Sequence, residues 1–192
     1  MLYPNNIQKK QKGIISYSNR GMALEGLLNE TNEYYAEKDV ALIFKKPTPI
    51  GISEAVYTPK GRVIKNGYFK APSTLDYNGI YKGKYIEFEA KECQSKTSFP
   101  LSNFHEHQIS YIRKVLKHGA ICFIIIKMNS LVYLLKGEDF VDFLDQHSRK
   151  SIPYSYLCEK GYVLKEGYQP ALPYLDVVDK IYLKGAYSWQ RN

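Results

Sequence analysis

The chain has 192 residues, with 27 Lys and Arg against 19 Asp and Glu, so its formal net charge is +8. Hydrophobic residues make up 44% of the chain and charged residues 24%, which excludes a wholly disordered or collagen-like protein. The longest apolar run, residues 120–126, is too short to span a bilayer, and residues 1–12 lack the apolar centre of a signal peptide. We therefore expect a soluble, cytoplasmic protein with no membrane partner.

The length favours one compact domain that needs no disulfide or zinc ion to hold its core. We expect a basic flexible arm at residues 1–18, a single domain at 19–183 and a short tail at 184–192. The cysteines, Cys93, Cys122 and Cys158, are odd in number and form no C-x-x-C motif. Neither a disulfide framework nor a cysteine zinc site is predicted.

Basic residues concentrate in two segments. Residues 1–20 contain four Lys or Arg and no acidic residue, and residues 45–70 contain six against one glutamate, a local balance of +5. Such clusters are either ordinary solvated surface or a binding surface for a polyanion such as nucleic acid. The candidate nucleic-acid contacts in the second segment are Lys45, Lys46, Lys60, Arg62 and Lys65.

The first half of the chain predicts a helix, a short strand and an excursion. Large side chains recur at helical spacing in residues 20–37. Residues 40–44 favour a strand, which Pro47 and Pro49 end, because prolines cannot lie within a central strand. Residues 50–66 contain few large apolar groups and predict a projecting hairpin outside the core. An insertion of that kind is usually functional.

The central segment predicts antiparallel strands. Residues 67–70 and 76–81 favour strands, and Lys82-Gly83 favours a tight turn. Residues 84–91 alternate strictly between two faces. One face carries the polar side chains Tyr85, Glu87, Glu89 and Lys91, and the other carries Ile86, Phe88 and Ala90.

The second half predicts helices and buried strands. Asn103 with Glu106 three residues later predicts a capping box at the start of a helix that ends at Gly119. The apolar run at 120–126 is typical of a central strand covered on both faces, and a neighbouring strand follows at 131–135. Further helices are predicted near residues 138–146 and 174–182. Strands between helices indicate a three-layer α/β fold with a mixed central sheet.

Three of these residues suggest a chemical site. Asp76 begins one strand, and Glu89 lies on the next, so their carboxylates approach each other at one edge of the sheet. Close carboxylates repel unless a cation joins them, and oxygen ligands favour Mg²⁺. Lys91 shares a face with Glu89 and is suited to polarise water or to neutralise charge on a phosphate. The pattern Asp-x12-Glu-x-Lys is the PD-(D/E)xK nuclease signature, although its spacing alone also fits ordinary surface charges.

Other polar residues are expected near this trio. Thr74 and Gln108 add oxygen atoms near the two carboxylates. Glu92 lies on the opposite face from Lys91 and receives no catalytic role. His105 and His107 lack the i,i+4 spacing of a helical metal pair, and we predict that they point in different directions, with a solvated or capping role.

Seven stretches, in order along the chain, resemble the RecU family of Holliday junction resolvases. They are residues 16–22 (SYSNRGM), 28–32 (LNETN), 45–49 (KKPTP), 74–83 (TLDYNGIYKG), 89–92 (EAKE), 96–101 (KTSFPL) and 103–108 (NFHEHQ). The similarity extends over about residues 16–183, so it covers nearly the whole chain.

The resemblance implies a restriction-endonuclease-like core and a dimeric, Mg²⁺-dependent endonuclease, with Mn²⁺ able to substitute. Such an enzyme makes paired nicks in four-way DNA junctions during recombinational repair and chromosome segregation, on the bacterial nucleoid. RecA and a branch-migration helicase are implied as partners. Residues 50–66 correspond to the family's stalk, which is thought to enter the junction centre.

The resemblance also implies residue roles. Thr74, Asp76, Glu89 and Gln108 would surround the metal ion, and Lys91 would stabilise the transition state. Arg20 and Glu25, on the first helix, would approach the scissile phosphate.

Two other functions stay open at this stage. One is a non-catalytic junction-binding or RecA-modulating protein, in which the trio is a surface charge network. The other is a restriction-type nuclease that reads base sequence, because that superfamily shares the same catalytic core. Nicking of a four-way junction would exclude the non-catalytic protein. Cleavage of linear duplex at one sequence would identify the restriction-type nuclease.

Overall fold

A computed structural model describes residues 23–70 and 74–183. The strands are β1 (Leu42–Lys45), β2 (Ile50–Thr58), β3 (Gly61–Phe69), β4 (Tyr77–Tyr81), β5 (Lys84–Cys93), β6 (Ser98–Pro100), β7 (Ile121–Met128), β8 (Leu131–Lys136), β9 (Ser151–Pro153) and β10 (Tyr162–Leu164). The helices are α1 (Leu24–Glu37), α2 (Glu106–Lys117), α3 (Gly137–Gln146), α4 (Tyr154–Lys160) and α5 (Tyr174–Tyr182). The predicted arm, residues 1–18, and the predicted tail, residues 184–192, lie outside the described residues, as do residues 19–22 and 71–73 of the predicted domain.

The main sheet has the strand order β1-β4-β5-β7-β8-β10. Strands β5 and β7 are parallel, and α2 connects them, as a crossover between parallel strands requires. The other neighbours in this sheet are antiparallel. The predicted mixed sheet is therefore confirmed.

Helices cover both faces of this sheet. On one face α1 and α5 pack over a core that includes Leu28, Phe88 and Tyr174, and on the other α2, α3 and α4 pack over a core that includes Ile124 and Phe140. Burying one such large apolar side chain stabilises the fold by roughly 1.5–3 kcal/mol. The strand β7 is buried along nearly its whole length, as its continuous apolar run predicts. The three-layer α/β class is confirmed.

The turn between β4 and β5 fixes the register of the strands that carry the site. Lys82 and Gly83 both have positive φ, 48° and 72°, which suits a two-residue hairpin turn. The turn pairs Tyr81 with Lys84 and Tyr77 with Phe88. Continuing that register by one residue brings Asp76, just before β4, opposite Glu89.

Residues 50–69 form an antiparallel hairpin of β2 and β3, which pairs with no strand of the main sheet in the described residues. Every residue of β3 is exposed. The prediction of a strand limited to 67–70 was too short, because β3 begins at Gly61 and pairs with β2 along its length. We call this hairpin, residues 50–69, the stalk.

The predicted start of α2 was wrong. Leu101–Asn103 form a 3-10 turn and Phe104 is extended, so Asn103 cannot cap the helix. The N-cap is His105, whose backbone N–H donates a 3.1 Å hydrogen bond to Oε1 of Gln108. Gly119 follows the helix with a φ of 74°, as the sequence suggested. The helix therefore begins at Glu106, after the extended residues Phe104 and His105. Gln108, three residues after the N-cap, takes the role in the capping box that the sequence pattern gave to Glu106.

No helix in the described parts of the chain is both long and apolar enough to cross a membrane.

Candidate active site

Asp76 and Glu89 meet where β4 begins beside β5. The backbone N–H of Asp76 donates a 3.1 Å hydrogen bond to Oε2 of Glu89. The carboxylate of Glu89 is fully buried, and Asp76 is half-buried. The structure therefore brings together the two acidic residues that the sequence pattern paired.

The second oxygen of Glu89 has two further partners. Nζ of Lys91 lies 2.6 Å from Oε1, and Nε2 of Gln108, on α2, donates a hydrogen bond of 2.6 Å to the same atom. Lys91 also lies 5.7 Å above the ring of Phe104. Asp76, Glu89, Lys91 and Gln108 thus form one connected cluster across two strands and a helix.

The pKa of Glu89 is raised to about 7. The largest cause is burial, which disfavours the charged carboxylate, and the negative charge of Asp76 acts in the same direction. Lys91 opposes them by its hydrogen bond and its positive charge. Strongly shifted acids of this kind, close to a cation and a second acid, are common at functional sites.

A cleft of about 290 Å³ opens between the start of α1 and this part of the sheet. Its walls are formed by Ala23, Leu24, Glu25, Lys45, Asp76, Tyr77, Ala90 and Glu92. Glu25 forms an ion pair with Lys45. The predicted contact residues Glu25 and Lys45 therefore lie beside Asp76, whereas Arg20 lies outside the described residues.

Sequence reasoning missed the part played by Glu92. Its side chain does lie on the opposite face from Lys91, but there it accepts a hydrogen bond from the backbone N–H of Leu24, at the N-terminus of α1. A carboxylate at that position accepts a hydrogen bond from a backbone N–H that has no partner within the helix. Its negative charge also interacts favourably with the positive end of the helix dipole. Leu24 and Glu92 are far apart in sequence, so no local pattern could have indicated the contact.

The donor set of the cluster is compatible with a hard divalent cation. Asp76 and Glu89 supply carboxylate oxygens, and Thr74 lies half-buried two residues before Asp76. Gln108 presents its nitrogen to Glu89, while its oxygen accepts from His105. Among the described residues, no group of three or more His, Cys, Asp or Glu side chains could hold a metal. A cation here would therefore combine two carboxylates with neutral oxygens, as Mg²⁺ accepts.

The two histidines differ from their predicted arrangement. Their rings are stacked, with centroids 5.4 Å apart and planes at 9°, rather than pointing in different directions. His105 lies at the N-cap, where the backbone is extended and not helical, so the helical spacing rule does not apply to it. Its ring lies alongside that of His107. Of the two histidines, His105 takes the predicted capping role, because it is the N-cap of α2.

The remaining predicted basic contacts are spread along the stalk, apart from Lys46. Lys65 forms an ion pair of 2.9 Å with Glu54, and the Arg62 guanidinium lies 5.9 Å from the ring of Tyr57. Lys60 is exposed in the turn between β2 and β3. Lys46 instead points into the protein and forms an ion pair with the buried Glu87.

A mixed sheet that carries an aspartate beside a Glu-x-Lys strand has the arrangement expected of the PD-(D/E)xK class. The sequence profile of one family, described as Recombination protein U, matches residues 19–180. The chain belongs to the RecU family.

Relatives named Holliday junction resolvase RecU align with most of the chain. The protein from Geobacillus sp. (strain WCH70) is 51% identical over 173 residues, which is 87% of this chain and 86% of that protein. The Bacillus pumilus (strain SAFR-032) protein is 46% identical over 98% of this chain and 94% of its own length. The Bacillus subtilis (strain 168) protein is 48% identical over 91% and 87%.

A solved structure, that of the Holliday junction resolvase Hjc from Archaeoglobus fulgidus, is a distant neighbour. It matches with a TM-score of 0.37 and 10% identity over 68% of this chain and 90% of that chain. A likeness at this level carries no conclusion about function.

Proposed function

We propose that this chain is a structure-selective endonuclease that resolves four-way DNA junctions by paired nicks. The observation that carries the proposal is the cluster of Asp76, Glu89 and Lys91 in a chain of the RecU family. Relatives that align over nearly the whole chain are named as Holliday junction resolvases. The proposed setting is recombinational repair and chromosome segregation on the nucleoid of a bacterial cytoplasm.

We propose Mg²⁺ as the cofactor, with Mn²⁺ able to substitute. Asp76 and Glu89 would hold the ion, and Thr74 would add a neutral oxygen. Gln108 would contribute its side-chain oxygen only after its amide turned over, and otherwise acts by orienting Glu89. When bound, the ion would supply a Lewis acid that activates water and neutralises charge on phosphate.

The protein's own groups would do the rest of the chemistry. Lys91 lies beside Glu89 on a rigid strand, so its ammonium is preorganised to stabilise negative charge that develops on the scissile phosphate. Burial of Glu89 keeps water from its carboxylate, and Gln108 fixes the orientation of that group. The cleft that holds Glu25 and Lys45 would receive the DNA backbone next to Asp76.

The exposed stalk is the proposed contact with the junction centre. Lys60, Arg62 and Lys65 supply positive charge to it, and Tyr57 is 84% exposed. Exposed aromatic and cationic side chains together are suited to bases and phosphates of unstacked strands.

We propose that the protein acts as a homodimer. Leu42, Phe44 and Ile80 form an apolar patch on one face of the edge strand β1 and its neighbour, with exposures of 54%, 59% and 58%. Exposed apolar surface on an edge strand favours association. Sedimentation should give a dimer for the wild type and a smaller species for Phe44→Glu. A monomeric wild-type protein would exclude this arrangement.

RecA and a branch-migration helicase stay predictions as partners.

One experiment tests the function and separates the alternatives. A synthetic four-way junction and a linear duplex with the same arm sequences are incubated with the protein and Mg²⁺, with Asp76→Asn as the control. We expect symmetric nicks in the junction alone, and none with the variant. Binding without nicks would indicate a non-catalytic junction-binding protein. Cleavage of the duplex at one sequence would indicate a restriction-type nuclease.

A further inference from the structure

A second glutamate on β5 has no role in the site described above. Glu87 lies two residues before Glu89 on the same face of the strand and is fully buried. A buried carboxylate is costly unless charged or polar donors surround it. Glu87 must therefore be compensated by donors within the protein.

Three donors from three parts of the fold converge on Glu87. Nζ of Lys46, just after β1, forms an ion pair with Oε1. Oε2 accepts hydrogen bonds from the hydroxyl of Tyr85, at 2.8 Å, and from that of Tyr111 on α2, at 3.1 Å. Lys46 also lies 5.7 Å from the centre of the Tyr111 ring.

The two tyrosines are held as neutral donors. Burial and then the nearby Glu87 raise the pKa of Tyr111, and the same two influences raise that of Tyr85. Hydroxyl groups that keep their protons can donate to a carboxylate continuously. The group is thus a satisfied network with a carboxylate at its centre.

This network reaches both acidic residues of the candidate active site. The backbone N–H of Lys46 donates a 2.7 Å hydrogen bond to the backbone carbonyl of Asp76. On the other side, Tyr111 lies three residues after Gln108 on α2, and Gln108 donates to Glu89. Glu87 therefore ties the chain at Asp76 and the helix that orients Glu89 to one rigid point.

We propose that Glu87 is a positioning residue: through Lys46 and Tyr111 it sets the placement of Asp76 relative to Glu89, and thereby the affinity of the site for a divalent cation. The proposal rests on the proposed function, since it concerns the same metal site. It also assigns Lys46 to this network rather than to DNA. The ammonium group of Lys46 balances Glu87 inside the protein, unlike that of the exposed Lys60 in the stalk.

The first test measures metal binding without DNA. Mn²⁺ is titrated into the wild type, Glu87→Gln and Lys46→Met, and free Mn²⁺ is followed by electron paramagnetic resonance. Loss of a group that orients metal ligands typically weakens metal binding 10–100-fold, so we expect a Kd about tenfold higher in both variants. Lys46→Arg, which keeps the cation, should recover most of the affinity.

A matched control removes an ion pair elsewhere on α2. Arg113 binds Asp145 through contacts of 2.5 and 2.9 Å at the protein surface. Asp145→Asn should leave the Mn²⁺ affinity within about twofold of the wild type, because it breaks no link to Asp76 or Glu89.

The second test follows nicking of the four-way junction. The Mg²⁺ concentration for half-maximal rate should rise about tenfold in Glu87→Gln and Lys46→Met, in line with the change in Kd. Junction binding without metal should stay within about twofold of wild type in Lys46→Met and fall in Lys60→Met, because only Lys60 would release counterions from phosphate.

Several results would overturn the proposal. One is an unchanged Mn²⁺ Kd in folded Glu87→Gln, and another is a variant that loses thermal stability while its Mg²⁺ requirement stays at the wild-type value. If Glu87→Gln does not fold, Tyr111→Phe keeps the carboxylate and removes one donor, and an unchanged Kd in that variant counts against the proposal equally. Absence of nicking by the wild type would instead contradict the proposed function, while the Mn²⁺ titration would still decide the role of Glu87.

Discussion

The backbone N–H of Asp76 donates a hydrogen bond to the buried carboxylate of Glu89, with 3.1 Å between nitrogen and Oε2. This contact follows from the register of β4 and β5, in which Tyr77 opposes Phe88. A slip of one residue would turn Glu89 to the opposite face of the sheet. The two-residue turn at Lys82 and Gly83 therefore controls the assembly of the cluster as well as the shape of the hairpin.

Removing the groups of the cluster should stop cleavage and spare junction binding. We expect Asp76→Asn, Glu89→Gln and Lys91→Ala each to lower the rate of nicking by at least about 10²-fold, since each would remove a proposed metal ligand or the charge proposed to stabilise the transition state. Gel-shift assays in metal-free buffer should give Kd values close to that of the wild type. A variant that nicks at the wild-type rate would remove that residue from the proposed machinery.

The free energy of unfolding should fall with rising pH in metal-free buffer. The pKa of Glu89 is about 7 in the folded protein and near 4.5 in the unfolded chain, so the folded state retains this proton to a higher pH. Its contribution is fully present below about pH 4.5 and is lost as the pH rises to about 7, by roughly 3 kcal/mol.

Urea unfolding in EDTA between pH 4.5 and 8 would measure this effect, with Glu89→Gln as the variant that lacks the titrating group. Its stability should change less steeply over this range. Glu54→Gln, which alters an exposed carboxylate of the stalk, is the control and should follow the wild type. Parallel curves for the wild type and Glu89→Gln would contradict the assignment.

Divalent cations should separate binding from cleavage. Mg²⁺ and Mn²⁺ should support nicking, because both accept an octahedral set of oxygen ligands. Ca²⁺ should permit junction binding and give a much lower rate, since its longer bonds and looser geometry misplace the reacting groups. Rates are compared on one labelled junction with each metal and with EDTA. Full activity in EDTA would be incompatible with the proposed site.

Shortening the stalk should reduce discrimination between DNA structures. Deletion of residues 53–62 removes the end of the hairpin and leaves residues 63–66 to join Ile52 to Gly67, which already oppose each other. Because β3 is exposed throughout, thermal stability should change little. We expect the ratio of duplex Kd to junction Kd to fall about tenfold or more, through loss of the cations Lys60 and Arg62. An unchanged ratio in the folded deletion variant would make the stalk a passive loop.

Local patterns were sufficient for much of the fold. Strict alternation in β5 correctly placed Glu89 and Lys91 on one face, because a strand turns each successive side chain to the other side. The Lys82-Gly83 turn and the apolar run of β7 were also read correctly, since both depend on neighbouring residues alone. Family motifs extended these patterns to the nuclease class.

Other features could be decided only by the tertiary structure, because they join residues that are distant in sequence. The N-cap of α2 is His105 and not Asn103, because Asn103 lies in the preceding 3-10 turn. Glu92, on β5, accepts a hydrogen bond from the N-terminus of α1, which is distant in sequence. Lys46 resembled a DNA contact in a basic segment, yet its ammonium binds the buried Glu87. Spacing along the chain determined which residues could share a face. Packing of the strands and helices determined which charges were removed from water, and a charge removed from water must be matched within the protein.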